Sequence, residues 1–139
     1  MPDRLESGTA NVGGIIALGA GIDFIRKTGR ETIYQKEYEH IMRFYNSLSH
    51  LQAVNCYVQR ERLREFSPVL SFNITGIPSE TVAQELAEQG ICVRAGLHCA
   101  PLAHRKIGTD VCGTVRISPS FFTSDKEINC AISSIKKLI

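Results

Sequence analysis

The 139-residue sequence predicts an α+β fold in which a small, mostly antiparallel sheet is covered on one face by helices. Long segments at both ends carry apolar residues at helical spacing. Shorter segments between them alternate apolar and polar residues, as half-buried strands do. We find no internal repeat, low-complexity stretch or long linker, which favours one layered arrangement over a repeat array.

Two helices are predicted at the start of the chain. Thr9 or Asn11 is a suitable N-cap for the apolar run that begins at Val12, and this helix should end near Gly29. A second helix should begin near Glu31, because apolar side chains then recur at helical spacing: Tyr34, Tyr38, Ile41, Met42, Tyr45 and Leu48. The mixed-charge cluster at 60–65 is expected to be an exposed turn.

Strands and one short helix are predicted in the middle of the chain. Residues 53–58 and 69–74 alternate as half-buried strands do. Ser79 is expected to cap a helix that ends at Gly90. The apolar segment 91–94 then predicts a buried strand.

The C-terminal part is predicted to hold one more strand and one more helix. Residues 114–117 have the composition of a strand. Ser124 and Glu127 have the spacing of a capping box, so a terminal helix should begin there. Its apolar face is expected to consist of Ile128, Ala131, Ile132, Ile135 and Leu138.

Composition and charge exclude several function classes. The net charge of +2 comes from mixed signs and gives no reason to expect nucleic-acid binding. No apolar run reaches the ~18 residues of a membrane-spanning helix, and no secretory signal is present, so we expect a cytoplasmic protein without a membrane partner. Five scattered cysteines are expected to be reduced thiols, with Cys56, Cys92 and Cys130 in the core.

The segment around Cys99 has the composition of a reactive-thiol site. Cys99 follows a glycine and a histidine in a predicted loop, with Arg94 before it and Arg116 after it. Thiols react as thiolates, which nearby cations favour, and arginine binds carboxylates through paired hydrogen bonds. The pattern therefore indicates a thiol that acts on a substrate with a carboxylate. His98 could polarise the thiol if a turn brought the two side chains together, and His104 is expected on an exposed helical turn.

Three ordered motifs resemble the cysteine desulfurases of the class V aminotransferase family. They are Arg94-Ala95-Gly96-Leu97-His98-Cys99-Ala100 with 113–118 downstream, the opening segment 2–12, and the segment from Ser118 through Asp125 into the last helix. The resemblance implies the small C-terminal domain of a fold-type I enzyme. Residues 1–30 would then be a helix that bridges to a large cofactor-binding domain, residues 31–139 the small domain, and the large domain with its lysine would lie outside this chain.

The resemblance also implies an activity, that of a pyridoxal 5'-phosphate-dependent sulfurtransferase in iron-sulfur cluster assembly. Such an enzyme converts L-cysteine to L-alanine and leaves a persulfide on a thiol that Cys99 matches, for delivery to a sulfur-acceptor protein. Arg116 and Arg94 match substrate-binding arginines, and His98 the histidine beside the thiol. Gly8 and Thr9 match a pair that binds the cofactor phosphate of the partner subunit in a homodimer. This chain alone, as a fragment, is expected to be inactive.

Three alternatives are left open. Leu97 stands where many relatives carry a histidine, so the activity could be that of a selenocysteine lyase or of another class V aminotransferase-type enzyme. A non-catalytic sulfur-carrier or interaction domain would use Cys99 without a cofactor. A zinc module could draw on the available cysteines and histidines, although the paired ligand spacing of closed zinc sites is missing and we predict no metal.

Overall fold

The computed structural model describes residues 8–139. The elements follow in the order α1 (Val12–Thr28), α2 (Arg30–Leu48), β1 (Val54–Cys56), a 3-10 helix (Arg60–Glu65), β2 (Leu70–Ile74), α3 (Ser79–Glu88), α4 (Pro101–Ile107), β3 (Val115–Ile117) and α5 (Asp125–Lys137). The chain divides into two compact units, with the boundary after Ile33. The predicted functional division at residue 30 stays a prediction, and the motif residues before Gly8 lie outside the described part.

The first unit contains α1. The side chain of Asn11 accepts a hydrogen bond from the Gly14 amide at 3.0 Å, so Asn11 is the N-cap that the sequence offered beside Thr9. The helix ends at Gly29, whose amide donates to the carbonyl of Ile25. No residue of α1 is buried.

The second unit is built on a three-stranded antiparallel sheet in the order β1-β2-β3. Alternation along β2 places Leu70, Phe72 and Ile74 on the buried face. Helices α2, α3 and α5 contribute apolar side chains to the same core, including Phe44, Leu86 and Ile135. The predicted small antiparallel sheet with a helical cover is therefore confirmed.

Two local predictions are wrong. The segment 91–94 does not form a strand of its own, because its pairing with the sheet is reduced to one isolated bridge between Arg94 and Arg116. Ser79 is the first residue of α3 and does not cap it, since its hydroxyl donates to the carbonyl of Cys112 at 3.0 Å. The capping box of α5 is confirmed, with Ser124 and Glu127 bonded reciprocally.

No helix of residues 8–139 is long and apolar enough to cross a membrane.

Candidate active site

Cys99 lies on a tight, left-handed turn. The amide of Ala100 donates to the carbonyl of Leu97 at 2.8 Å, and the two residues between them, His98 and Cys99, have φ angles of 51° and 59°. Positive φ at both central positions is the pattern of a type I′ turn, in which asparagine and glycine are preferred. Other residues pay about 1–3 kcal/mol each for such a conformation. The turn leaves Cys99 exposed to solvent, and its conformation must be held by other contacts.

The imidazole of His98 supplies one of these contacts. Its Nε2 lies 3.1 Å from the carbonyl oxygen and 3.2 Å from the hydroxyl of Thr114. Because a carbonyl oxygen only accepts, Nε2 must carry a proton, and the neutral ring then has its lone pair on Nδ1. Nδ1 is buried and has no hydrogen-bond partner. The ring is therefore bonded to the residue before β3, and not to the thiol of Cys99.

The electrostatic surroundings of His98 favour its neutral form. Burial lowers the pKa of His98, and the positive charge of Arg116 lowers it further, with smaller contributions from His104 and Arg94. The hydrogen bond with Thr114 acts in the opposite direction. Since the ordinary value is 6.5, His98 is mostly neutral at pH 7.

Arg94 and Arg116 form a pair across the edge of the sheet. The amide of Arg94 donates to the carbonyl of Arg116 at 3.2 Å, and the amide of Arg116 donates back at 2.7 Å. Residues directly opposite in an antiparallel pair present their side chains on the same face. Arg94 is exposed, while Nε of Arg116 is buried without a hydrogen-bond partner. Neither guanidinium takes part in the ion pairs found in residues 8–139, so both can bind a carboxylate.

A close backbone contact holds the two arginine-bearing segments together. Gly96 and Thr114 exchange two backbone hydrogen bonds of 3.1 Å. A Cβ atom added to Gly113 would lie 2.6 Å from the Cα of Gly96. Gly113 also has a φ of 61°, so this position requires glycine for both space and conformation.

Sequence reasoning missed that His104 is buried and contacts Thr109. The prediction of a helical turn at His104 is confirmed by α4, but its predicted exposure is wrong, because His104 is only 4% exposed. Its Nδ1 lies 2.7 Å from the hydroxyl of the equally buried Thr109, and its ring centroid lies 5.7 Å from that of His98. Gly108, in the left-handed C-cap position, turns the chain back so that these two side chains meet. This cap signal could have revealed the contact.

The other thiols differ in their surroundings. Cys56, predicted in the core, is half-buried against it, and burial raises the pKa of its thiol to about 11. The predicted burial of Cys92 and Cys130 is wrong, since both are exposed. Cys92 alternates with the inward residues Ile91 and Val93, and Cys130 precedes the buried Ala131 on the solvent side of α5. Within residues 8–139 no three or more cysteine, histidine or acidic side chains are placed to hold a metal ion.

A pyridoxal phosphate fits this chain only at its phosphate end. Gly8 and Thr9 are exposed just before α1, where free amides and a hydroxyl suit an anion. None of the six lysines, all within the described residues, is buried, and the half-buried Lys36 lies 4.7 Å from the ring centroid of Phe121. A lysine that binds the cofactor aldehyde needs an enclosing pocket, which these side chains lack.

Comparison with known proteins places the chain in a family. The family model described as aminotransferase class-V matches residues 1–130. A cysteine desulfurase from Synechococcus elongatus is 34% identical over 141 residues, which cover 99% of this chain and 21% of that protein. A probable cysteine desulfurase from Pyrococcus abyssi is 34% identical over 138 residues, covering 99% of this chain and 33% of that protein.

A solved structure shares the fold. The apo cysteine desulfurase from Thermococcus onnurineus NA1 superimposes with a TM-score of 0.86 at 36% identity, and the match covers 99% of this chain and 34% of that one. The chain thus spans between about a fifth and a third of the length of these relatives. With its motifs, its fold and the family model in agreement over nearly all of its length, the chain belongs to the class V aminotransferase family.

Proposed function

We propose that this chain is the part of a pyridoxal phosphate-dependent cysteine desulfurase that carries the sulfur-accepting thiol and the substrate-carboxylate site. The overall reaction would convert L-cysteine to L-alanine and leave a persulfide on Cys99. The observation that carries this proposal is an exposed thiol on a strained turn that begins three residues after the Arg94–Arg116 bridge, with neither arginine in an ion pair among residues 8–139. Strain of this kind persists where the surrounding structure fixes it, which is common at functional sites.

In this proposal Cys99 acts as a nucleophile. Its thiolate sulfur bonds to the substrate sulfur while the carbon-sulfur bond of the substrate breaks, so the bonding electrons stay with the substrate carbon, which takes up a proton. Bound pyridoxal phosphate would supply the electron withdrawal that makes the carbon fragment able to leave. The exposure of Cys99 also lets a sulfur-acceptor protein reach the persulfide afterwards.

Arg116 and Arg94 would bind the substrate carboxylate. Arginine forms two parallel hydrogen bonds with a carboxylate, which fix its orientation as well as its position. Arg116 is half-buried and forms no ion pair among residues 8–139, which makes its guanidinium the better-ordered ligand, and the exposed Arg94 adds charge from the opposite segment. His98 would serve the same site as a neutral ring that holds the turn through its bond to Thr114.

Further parts of the proposal concern the assembly. Gly8 and Thr9 would bind the cofactor phosphate of a partner subunit in a homodimer, which agrees with their exposed position before α1. The complete enzyme would supply sulfur for iron-sulfur cluster assembly in the cytoplasm. To test phosphate binding, hydrogen exchange at the Thr9 amide can be measured with and without added phosphate, which should slow it.

The decisive experiment compares Cys99→Ser with Cys92→Ser in the complete enzyme that contains this chain. With pyridoxal phosphate and L-cysteine, the Cys92→Ser enzyme should form alanine and a persulfide that mass spectrometry locates on Cys99. The Cys99→Ser enzyme should keep its cofactor absorbance but form neither product. Cys92 is a matched control because its thiol is also exposed. Undiminished sulfide release by the Cys99→Ser enzyme would reject the assignment.

A further inference from the structure

Four residues, linked in one place through the backbone of Gly113, form a closed set of contacts that begins and ends at His98, in the turn of Cys99. We call His98, His104, Thr109 and Thr114 the His-Thr ring. His98 bonds to Thr114, and its ring lies 5.7 Å from that of His104 at a tilt of 47°. His104 bonds to Thr109 at 2.7 Å, and the Thr109 carbonyl accepts from the amide of Gly113 at 2.8 Å, next to Thr114 in the chain.

The His-Thr ring is unusually well buried for a set of polar side chains. His104, Thr109 and Thr114 are 4%, 2% and 0% exposed. Buried polar groups cost stability unless each finds a partner, so an apolar set would be the simpler way to fill this space. None of these three residues carries the thiol or an arginine of the proposed site. Their contacts converge on the one side chain that does adjoin Cys99, which is His98.

We propose that His104 and Thr109 are positioning residues for Cys99, which fix the His98 ring and through it the left-handed turn that displays the thiol. Thr109 sets the orientation of the His104 ring by bonding to its Nδ1. His104 then packs beside His98 with their ring centroids 5.7 Å apart, while Thr114 binds Nε2, so the two contacts together restrict rotation of the His98 ring. The inference rests on the proposed role of Cys99, but its physical content can be measured without cofactor or substrate.

The charges that face His98 favour the same neutral form of its imidazole that the His-Thr ring holds in place. They belong to Arg116, His104 and Arg94, and each disfavours a second proton on the imidazole. A neutral His98 with its proton on Nε2 is the form that suits the carbonyl of Thr114. If the contacts of the His-Thr ring open, His98 becomes more solvated, and its pKa should rise toward the ordinary value of 6.5.

The first test uses the unaltered 139-residue chain labelled with nitrogen-15 at histidine. NMR at pH 7.5 should show His98 as the neutral tautomer protonated on Nε2. A tautomer protonated on Nδ1, or rapid averaging between the two, would overturn the proposal whether or not any variant folds. This outcome is independent of the desulfurase assay, so failure here and failure of the proposed function can be told apart.

The second test compares Thr109→Val, which removes the hydroxyl at similar volume, with Thr109→Ser, which keeps it. In the Val variant the pKa of His98 should rise. The Ala100 amide, which bonds across the turn, should exchange its hydrogen at least about tenfold faster, since local opening sets this rate. The Ser variant should restore both values. Ser134→Ala, which removes a buried hydroxyl from α5, is the matched control and should leave both unchanged. Wild-type titration and exchange in a folded Val variant would refute the positioning role.

Discussion

Replacement of Gly113 by alanine should separate the two arginine-bearing segments of the site. Two independent effects act at this residue. Its φ of 61° is costly for any residue with a Cβ, by about 1–2 kcal/mol. The new Cβ would also lie 2.6 Å from the Cα and 2.8 Å from the carbonyl carbon of Gly96, closer than such atoms approach. The neighbour is backbone, and it is held by two hydrogen bonds with Thr114, so it cannot move aside without breaking the pairing.

The expected loss of unfolding free energy follows from both effects. Overpacking of a buried contact costs about 1–3 kcal/mol. Together with the conformational cost, Gly113→Ala should destabilise the chain by about 2–5 kcal/mol, a large part of the stability of a small domain. Gly108→Ala is the matched control, because Gly108 has a similar φ of 71° but open space where a Cβ would be placed. This control should lose only about 1–2 kcal/mol.

Urea unfolding followed by tyrosine fluorescence measures the difference. All four tyrosines, at 34, 38, 45 and 57, lie after Ile33, so the signal reports on the unit that contains the site. Faster hydrogen exchange at the Arg116 amide, which bonds to Arg94, should accompany the loss in Gly113→Ala alone. Equal losses in the Gly113 and Gly108 variants would refute the argument that close approach of Gly96 makes glycine necessary.

Two further predictions concern titratable groups. At pH 8, iodoacetamide should modify Cys56 more slowly than the exposed Cys92 and Cys130, because burial raises the pKa of Cys56 to about 11; peptide mass spectrometry gives the order, and equal rates would contradict the burial. Hydrogen bonds from Ser124 lower the pKa of Glu127 below 4.5, so the capping box stabilises α5 above that pH and is lost as the pH falls through the lowered value. Glu127→Gln should flatten this acid dependence of helical circular dichroism, and an unchanged dependence would assign it to another group.

The sequence predicts the elements of this fold better than it predicts the site. Helix α5 has a strong apolar face and a capping box, and both signals are local. Apolar and polar residues alternate so clearly along strand β2 that its buried face follows from the order of its residues alone. The segment 91–94 misled because an apolar run does not specify a pairing partner, and in the structure Cys92 and Arg94 are also exposed. In the described part of the chain, Arg94 is the one residue of this segment whose backbone bonds to the segment of β3, and the next such bonds come from Gly96, two residues later.

The conformation of the cysteine turn could not be read from local sequence. Histidine and cysteine are not the residues that favour two successive positive φ angles, and the contact that fixes them comes from Thr114, sixteen residues later. The burial of His104 was hidden for a related reason. Helix α4 has only seven residues, too few for periodicity to show which face turns inward. The contact of His98 with Thr114 lies outside any local window, whereas that of His104 with Thr109 spans five residues and has the Gly108 cap as its one local signal.

The two arginines should affect His98 unequally. Arg116 is the largest charged contributor to the lowered pKa of His98, while Arg94 is the smallest. Removing a positive charge makes protonation easier, so Arg116→Gln should raise the pKa of His98 more than the matched Arg94→Gln does. Proton NMR of the His98 ring against pH, at low ionic strength to limit screening, gives both shifts. A larger shift in the Arg94 variant would mean that the exposed arginine, and not Arg116, faces the ring.

The influence of the Arg116 charge on His98 should couple the binding of a carboxylate to the protonation of His98. A carboxylate bound to Arg116 neutralises the charge that disfavours His98 protonation, so binding should raise the pKa of His98 in the same direction as Arg116→Gln. By linkage, protonation of His98 must then strengthen carboxylate binding by the same factor. L-alanine, which has the carboxylate but no sulfur, can test this on the chain without turnover. An upward shift of the His98 titration in wild type, absent in Arg116→Gln, would place the carboxylate on Arg116. An equal shift in both would place it elsewhere.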